Sequence, residues 1–203
     1  IKKQLGVDTL FLGENLFEKT DFKTGFCGIK PQLLSEGNFR AISSLDQIRM
    51  LIYYGSRYLK SPHYINSSIF DTVEAFASYY IVPADYENLY RYIDWNEEKL
   101  SDVLLNEYDW ELATDTNSTW RIGDGTSSFY NYIYYIIAGF TENDTFRSNQ
   151  IREGVLTRDD AISKISEDNN PRYDTIEWYC NVIGIDFIQT LKSIHKAKKI
   201  YKH

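Results

Sequence analysis

The chain has 203 residues, of which 43% are hydrophobic and 25% charged, so it is long enough to bury a core and has the composition of a folded protein. Its formal net charge of −7 argues against a protein that functions on nucleic acid, because such proteins need a basic surface. No apolar run reaches transmembrane length and no signal peptide is visible, so we expect a cytoplasmic protein without a membrane span.

The first residues predict a strand with a polar motif at its end. Residues 1–6 have the pattern of a final helical turn, with Gly6 at the C-terminal cap. The apolar run at residues 7–12 is typical of a buried parallel strand. Gly13, Glu14 and Asn15 follow at the carboxyl end of this strand, where open α/β sheets bind their ligands. The chain therefore reads as though it begins within a fold.

Most of the remaining chain has helical periodicity. Residues 16–44 lack a sustained period and predict a long loop. The elements expected after it are a helix at 44–60 with Ser44 as N-cap, a helix at 69–80 for which a strand is the alternative, a short strand at 90–93, a helix from Asp94, a buried helix at 129–140, two short helices opened by Thr141 and Thr157, and helices at 173–183 and 185–199. We expect one domain over residues 1–203, of the α/β class, with few parallel strands covered by helices.

Residues 120–158 concentrate the candidate chemistry. Gly123, Asp124 and Gly125 form a turn, and Thr126 and the following serines precede a long aromatic run, as at a helix N-cap. A helix N-terminus behind a glycine turn is an anion site, and arginine favours phosphate and carboxylate. The nearby arginines are Arg121, Arg147, Arg152 and Arg158. The structural alternative is that these arginines pair on helix surfaces with Glu142, Asp144, Glu153 and Asp159.

Other catalytic patterns are scarce. The histidines, His63, His195 and His203, stand apart, and Cys27 and Cys180 form no metal-binding spacing, so we expect no protein-held metal site. The pair Glu97–Glu98 begins a helix, where carboxylates stabilise the helix dipole. These residues predict a class of ligand, phosphorylated or carboxylated, but no reaction.

Three segments resemble one enzyme family. GEN at 13–15, IDWNEEKLSDVLLNEYDWE at 93–111 and TWRIGDGTSSFYNYIYYIIAGFTENDTFRSNQIREGVLTRDDA at 119–161 are similar to the C-terminal half of the N-acetyl sugar amidotransferases. That family belongs to the PP-loop ATP pyrophosphatase superfamily. The resemblance implies an α-rich C-terminal half of a PP-loop (adenine nucleotide α-hydrolase-like) fold, as the C-terminal part of a longer synthetase.

The resemblance also implies an activity. Such enzymes use ATP and Mg²⁺ to adenylate the N-acetyl oxygen of a nucleotide-linked sugar, and ammonia from a glutaminase subunit then displaces AMP. The product is an acetamidino sugar for lipopolysaccharide O-antigen or flagellin glycans. Splitting one difficult substitution into two steps through a good leaving group lowers the barrier.

Site residues follow from the resemblance position by position. Asp124 is expected to contact Mg²⁺ or a hydroxyl group, and Arg121 and Arg147 to contact anions as catalytic residues. The residues expected to bind nucleotide or substrate are Gly13, Glu14, Asn15, Gly123, Gly125, Asn149, Arg152 and Arg158. For each of them a scaffolding role stays open.

The chain departs from the family in two respects. The pyrophosphate loop Ser-Gly-Gly-x-Asp-Ser and the N-terminal cysteines of the family do not occur in these residues. The loop supplies the backbone cradle for the triphosphate, so the chain by itself is expected not to hydrolyse ATP. The alternatives are a helical scaffold that docks a glutaminase or glycan-assembly partner and, against the acidic charge, a tRNA-modifying PP-loop relative.

Overall fold

The computed structural model describes residues 2–18, 22–29, 42–81, 86–119 and 125–200. Contacts group these residues into two compact units. The first unit holds the described residues up to Tyr92 except Phe17 and Glu18, and the second holds Phe17, Glu18 and the described residues from 93 onward. The expectation of one domain within a longer synthetase stays a prediction.

In its described residues the first unit contains short strands and four helices. Its strands are β1 (Phe11–Leu12) and β2 (Glu87–Asn88), and its helices are α1 (Lys2–Leu5), α2 (Phe22–Gly25), α3 (Ser44–Lys60) and α4 (Ser68–Phe76). A π-helical turn, Ala77–Ile81, continues α4, and 3₁₀ turns lie at Pro62–Tyr64 and Leu89–Arg91.

The two strands pair in parallel, with Phe11 opposite Glu87 and Leu12 opposite Asn88. A parallel pair needs a long crossover connection, which here contains α3 and α4. The parallel direction of the first strand is as predicted, but the strand is shorter than residues 7–12 and Phe11 is half exposed rather than buried. The strand predicted at 90–93 is wrong: pairing occurs at 87–88, and a 3₁₀ turn follows.

The second unit is helical in its described part. Its helices are α5 (Glu97–Glu107), α6 (Thr126–Ala138), α7 (Glu142–Arg152), α8 (Arg158–Asp168), α9 (Tyr173–Val182) and α10 (Phe187–Lys196). With the small parallel pair of the first unit, this composition confirms an α-rich member of the α/β class. None of the helices in the described residues is both long enough and apolar enough to cross a bilayer.

Short polar side chains fix where most helices begin. The hydroxyl of Thr141 accepts from the Asn143 amide while the Asp144 carboxylate accepts from the Thr141 amide, which is the capping box expected from the sequence. Thr157 caps α8 through its hydroxyl, which accepts from the Asp160 amide and donates to the Asp160 carboxylate. The N-cap of α3 is Ser43, one residue before the predicted Ser44.

The core of the second unit lies where α6, α9 and α10 meet. Tyr132, Ile176, Cys180 and Ile194 are buried there, and partly buried hydrophobic residues of α6 and α10 pack around them. Helix α6 is less enclosed than the all-apolar pattern predicted, because Tyr135 is 43% exposed. A hydrogen bond from the Ile200 amide to the Ile137 carbonyl, 2.9 Å, ties the end of the chain back to α6.

Candidate functional site

The strand-end motif is held in place by the second strand. Asn88 at the end of β2 donates through Nδ2 to the Glu14 carbonyl at 2.7 Å. Asn15 is buried, whereas Gly13 and Glu14 are exposed. A Cβ at Gly13 would meet no atom within 4 Å, so the backbone does not require glycine at this position. The motif thus lies at the carboxyl ends of two parallel strands, as expected for a ligand-binding edge.

The glycine turn before α6 is described only at its last residue. The predictions for Arg121, Gly123 and Asp124 lie outside the described residues. Gly125 is the N-cap of α6 with φ of 81°, and a Cβ there would lie 3.0 Å from Cβ of Tyr179. Glycine is therefore required at this position both by conformation and by space. Thr126, Ser127 and Ser128 lie inside the first turn of α6 and do not cap it through a side chain, contrary to the prediction.

Arg147 is buried among acceptors supplied by three helices. Its Nη1 and Nη2 bond Glu97 of α5 at 2.5 and 3.1 Å, and its Nε and Nη2 bond Asp168 of α8 at 2.7 and 3.3 Å. Nη1 also donates to Gln150 at 2.9 Å. Every N–H of the guanidinium thus has a protein acceptor. This geometry gives Arg147 a structural role, but it is buried and its partners are not the carboxylates expected on the helix surface; the expected anion contact by Arg147 stays a prediction.

The two carboxyl groups that bind Arg147, those of Glu97 and Asp168, have pKa values shifted in opposite directions. Burial opposes ionisation of Glu97, but the hydrogen bonds and charge of Arg147 outweigh it and hold the pKa of this carboxyl below its ordinary value. Burial dominates at Asp168 and raises the pKa of that carboxyl despite Arg147. Two carboxylates share one guanidinium, so the more deeply buried Asp168 is the one that protonates first on acidification.

Two other residues of α7 that were predicted to bind nucleotide or substrate are hydrogen-bonded to each other. Asn149 is 3% exposed, and its Nδ2 donates to the Phe17 carbonyl at 2.8 Å. Arg152 donates through Nη2 to Oδ1 of Asn149. Arg158 begins α8 and is exposed, without a hydrogen bond or ion pair to another described residue. Arg147, Asn149 and Arg152 therefore share one helix, whereas Gly13, Glu14 and Asn15 belong to the other unit.

A polar cleft of about 300 Å³ lies at the N-terminal end of α6, and sequence reasoning missed it. It is lined by hydroxyl, amide and charged side chains: Thr114, Asp115, Thr116, Asn117, Ser118, Ser127, Ser128, Asn131, Asn143, Glu167, Asp168, Asn170 and Arg172. The run Thr114–Ser118 alternates hydroxyl, acidic and amide residues, which was a usable signal, but its partners in α6–α9 lie far away in sequence.

Asp115 organises one wall of this cleft. Its carboxylate accepts from the Thr175 amide at 3.0 Å, the Thr175 hydroxyl at 2.7 Å and Nε of Arg172 at 3.1 Å. Burial opposes the charge of Asp115, but these hydrogen bonds outweigh it and lower the pKa of the carboxyl. The carboxylate thereby caps α9, whose own N-cap residue Arg172 makes no side-chain cap.

The cleft favours an uncharged polar ligand. Asp115 pairs with Arg172 and Asp168 pairs with Arg147, so the charged groups of the lining are largely engaged with each other and offer no cation to a phosphate among the described residues. The Ser128 hydroxyl is buried at this end of α6 and makes no hydrogen bond within the described part of the chain. Hydroxyl and amide groups that both donate and accept are suited to a ligand with groups of the same kind.

The histidines and cysteines form no catalytic pair in the described chain. His195 shares a hydrogen bond of 2.9 Å between Nε2 and the Tyr132 hydroxyl, and burial raises the pKa of Tyr132 to about 12. Both cysteines are buried and unpaired in disulfides, and burial raises the pKa of each thiol, which makes them poor nucleophiles. Among the described residues no group of three or more His, Cys, Asp or Glu is placed to hold a metal ion.

Comparison with known proteins adds no relative: no protein-family model, curated protein or solved structure matches this chain.

Proposed function

We propose that this chain is part of an ATP-dependent amidotransferase that converts an N-acetyl sugar into an acetamidino sugar for bacterial surface glycans. The observation that carries the proposal is the polar cleft at the start of α6, of whose lining Ser127, Ser128, Asn131 and Asn143 lie in the segment that resembles the N-acetyl sugar amidotransferases. Its mixed donors and acceptors suit the uncharged groups of a sugar.

The proposed reaction has two steps. The acetamido oxygen of the sugar attacks the α-phosphorus of ATP, and pyrophosphate leaves. Ammonia from a glutaminase subunit then adds to the activated carbon, AMP leaves with the former acetyl oxygen, and loss of a proton from nitrogen gives the amidine. The role proposed for this chain is to hold the sugar so that its acetamido oxygen meets the phosphate, which is an orientation effect.

The strand-end residues proposed to bind the nucleotide belong to the first unit. Gly13, Glu14 and Asn15 follow a parallel strand, which supports the proposed PP-loop fold, since ligands of such sheets bind at the carboxyl ends of the strands. Mg²⁺ bound to ATP phosphates needs only one or two protein carboxylates, and Asp124 is the residue proposed for that contact.

The test uses the full-length enzyme with its glutaminase subunit, Mg²⁺-ATP and N-acetylated nucleotide sugar, and measures pyrophosphate. Asn170→Ala and Glu167→Gln change exposed cleft residues and are expected to raise KM for the sugar about tenfold each, the effect of one lost hydrogen bond of about 1.4 kcal/mol. Glu153→Gln, an exposed glutamate outside the cleft, is the control. Pyrophosphate release that does not depend on sugar would refute the proposal.

The second candidate is a helical scaffold that docks a glutaminase or glycan-assembly partner. Arg147 forms ion pairs with Glu97 and Asp168, and an arginine used in this way to join helices favours a scaffold. Substitution of Arg121 and Asp124 separates the two functions. Lost activity with an intact fold supports the enzyme, whereas unchanged activity with lost partner binding supports the scaffold.

A further inference from the structure

Helix α3 has two apolar faces, and its own unit uses one of them. Met50 is 2% exposed and joins Cys27 and Ile29 in the core of the first unit, with Tyr53 and Tyr54 packed against them. On the same side, Nε2 of Gln47 donates to the Tyr80 carbonyl at 3.1 Å. The inner side of α3 therefore has its packing partners within the unit.

The other face is an exposed stripe of Leu45, Ile48, Ile52, Gly55 and Leu59. The four aliphatic side chains are 79%, 52%, 68% and 79% exposed, in chain order. Spacings of three, four, three and four residues place the stripe on the seam of a coiled coil, at the a and d positions. Gly55 occupies one such position although glycine weakens a helix interior, and a Cβ there would meet nothing within 4 Å. A glycine in this place allows a second backbone or a large side chain to come close.

We propose that this stripe binds the same stripe of a second copy of the chain, with the two α3 helices antiparallel. The stripe is complementary to itself in that arrangement. When Ile52 faces Gly55 of the second copy, Ile48 faces Leu59, and the twofold axis repeats both contacts. A large side chain then meets the open glycine position on each side of the axis.

The charges of α3 select the antiparallel direction. Asp46 lies in the first turn, and Arg57 and Lys60 lie in the last. In the register described, Asp46 of one copy comes beside Lys60 of the other, and the helix dipoles oppose each other. A parallel pairing would instead bring two basic C-terminal turns together.

The apolar area of the stripe is that of a weak dimer. With Leu51, which is 53% exposed and flanks the stripe, each copy contributes five large aliphatic side chains. Because these side chains are only partly exposed, burying both sets removes roughly 400–800 Å² from water, at about 60–120 Å² for a fully exposed aliphatic side chain. An area of this size is at the weak end of protein interfaces, so the dimer is expected to depend on protein concentration.

Sedimentation of the full chain tests the proposal. We expect a dimer for the wild type and a monomer with unchanged helical circular dichroism for Ile52→Glu, because two buried carboxylates would meet near the axis. Val73→Glu, at an exposed apolar position of α4, is the matched control and is expected to stay dimeric. A monomeric wild type overturns the proposal, as does a control that dissociates to the same extent.

Disulfide trapping tests the direction. Ile48→Cys and Leu59→Cys should cross-link when the two variants are mixed, because these positions face each other in the antiparallel register. Neither variant should link to itself, and the native cysteines are buried and do not interfere. Self-linking of Ile48→Cys would show a parallel pair and overturn the stated arrangement. Loss of a complex with a different protein in Ile52→Glu, without any dimer, would assign the stripe to that partner and also overturn the proposal.

Discussion

Arg147 holds the carboxylate of Glu97, 50 residues earlier in the chain, through two hydrogen bonds of 2.5 and 3.1 Å. The guanidinium is 4% exposed, so both charges are largely removed from water. A buried ion pair of this kind is costly to break from one side, because the remaining charge loses its partner. The pair joins α5 to α7, and Asp168 extends the link to α8.

Arg147→Ala should therefore be strongly destabilising. We expect a loss of about 3–5 kcal/mol in the free energy of unfolding, because Glu97 and Asp168 would both remain buried without a cation. Urea denaturation followed by circular dichroism measures this loss. Arg152→Ala, on the exposed side of the same helix, should cost less than about 1 kcal/mol. Equal costs for the two variants would contradict the structural role of Arg147.

Acidification should weaken the contribution of Glu97 to the free energy of unfolding. The folded-state pKa of Glu97 is lowered, so its stabilisation is present above the ordinary glutamate pKa of about 4.3 and is lost as pH falls through the lower folded value. The folded-state pKa of Asp168 is raised, so the contribution of this group to stability has the opposite sign: the folded state binds the proton more tightly than the unfolded state, and ionisation of Asp168 lowers the stability as pH rises. Urea midpoints of wild type and Glu97→Gln between pH 3 and 7 separate the two effects. The difference between the proteins should shrink below about pH 4; a constant difference would disprove the assignment.

The long-range cap of α9 should depend on Asp115. Asp115→Ala removes acceptors from the Thr175 amide and hydroxyl and from Arg172, and should cost about 1–3 kcal/mol. Asp115→Asn keeps an oxygen for the amide and should cost less. Glu111→Ala, an exposed carboxylate in the same connecting segment, serves as the control in thermal denaturation. No difference between Asp115→Ala and Glu111→Ala would show that α9 does not need this cap.

Glycine substitutions should differ by position. Gly125→Ala adds a Cβ 3.0 Å from Tyr179 to a residue with φ of 81°, so strain and overpacking combine, at about 2–4 kcal/mol. Gly154→Ala has a φ of 72° in open space and should cost about 1–2 kcal/mol. Gly13→Ala has neither constraint and should change stability by less than about 0.5 kcal/mol. Unfolding free energies in a different order would contradict the backbone conformations described for these three glycines.

The sequence predicted local elements better than the contacts between them. The caps at Thr141 and Thr157 and the break at Gly184 depend on neighbouring residues, and the structure confirms them. The strand partner was misplaced because a two-residue strand has no alternating pattern, and its position is set by Asn88 bonding Glu14, 74 residues away.

The site was harder to predict for the same reason. Glu97 was expected to stabilise a helix dipole, and Arg147 was expected to contact an anion, with pairing to nearby carboxylates as the structural alternative. Arg147 instead pairs with Glu97 and with Asp168, 21 residues away, because folding brings α5, α7 and α8 together. The cleft depends on Asp115 meeting Thr175 across 60 residues, which no local pattern encodes.

The most direct test of the proposed function follows one oxygen atom. The full-length enzyme with its glutaminase subunit is given ATP and a nucleotide sugar whose acetyl carbonyl carries ¹⁸O, and the AMP produced is analysed by mass spectrometry. If the acetamido oxygen is adenylated and then displaced by ammonia, AMP carries the label and the sugar becomes an amidine. Unlabelled AMP, or ADP and phosphate in place of AMP and pyrophosphate, would contradict the proposed reaction.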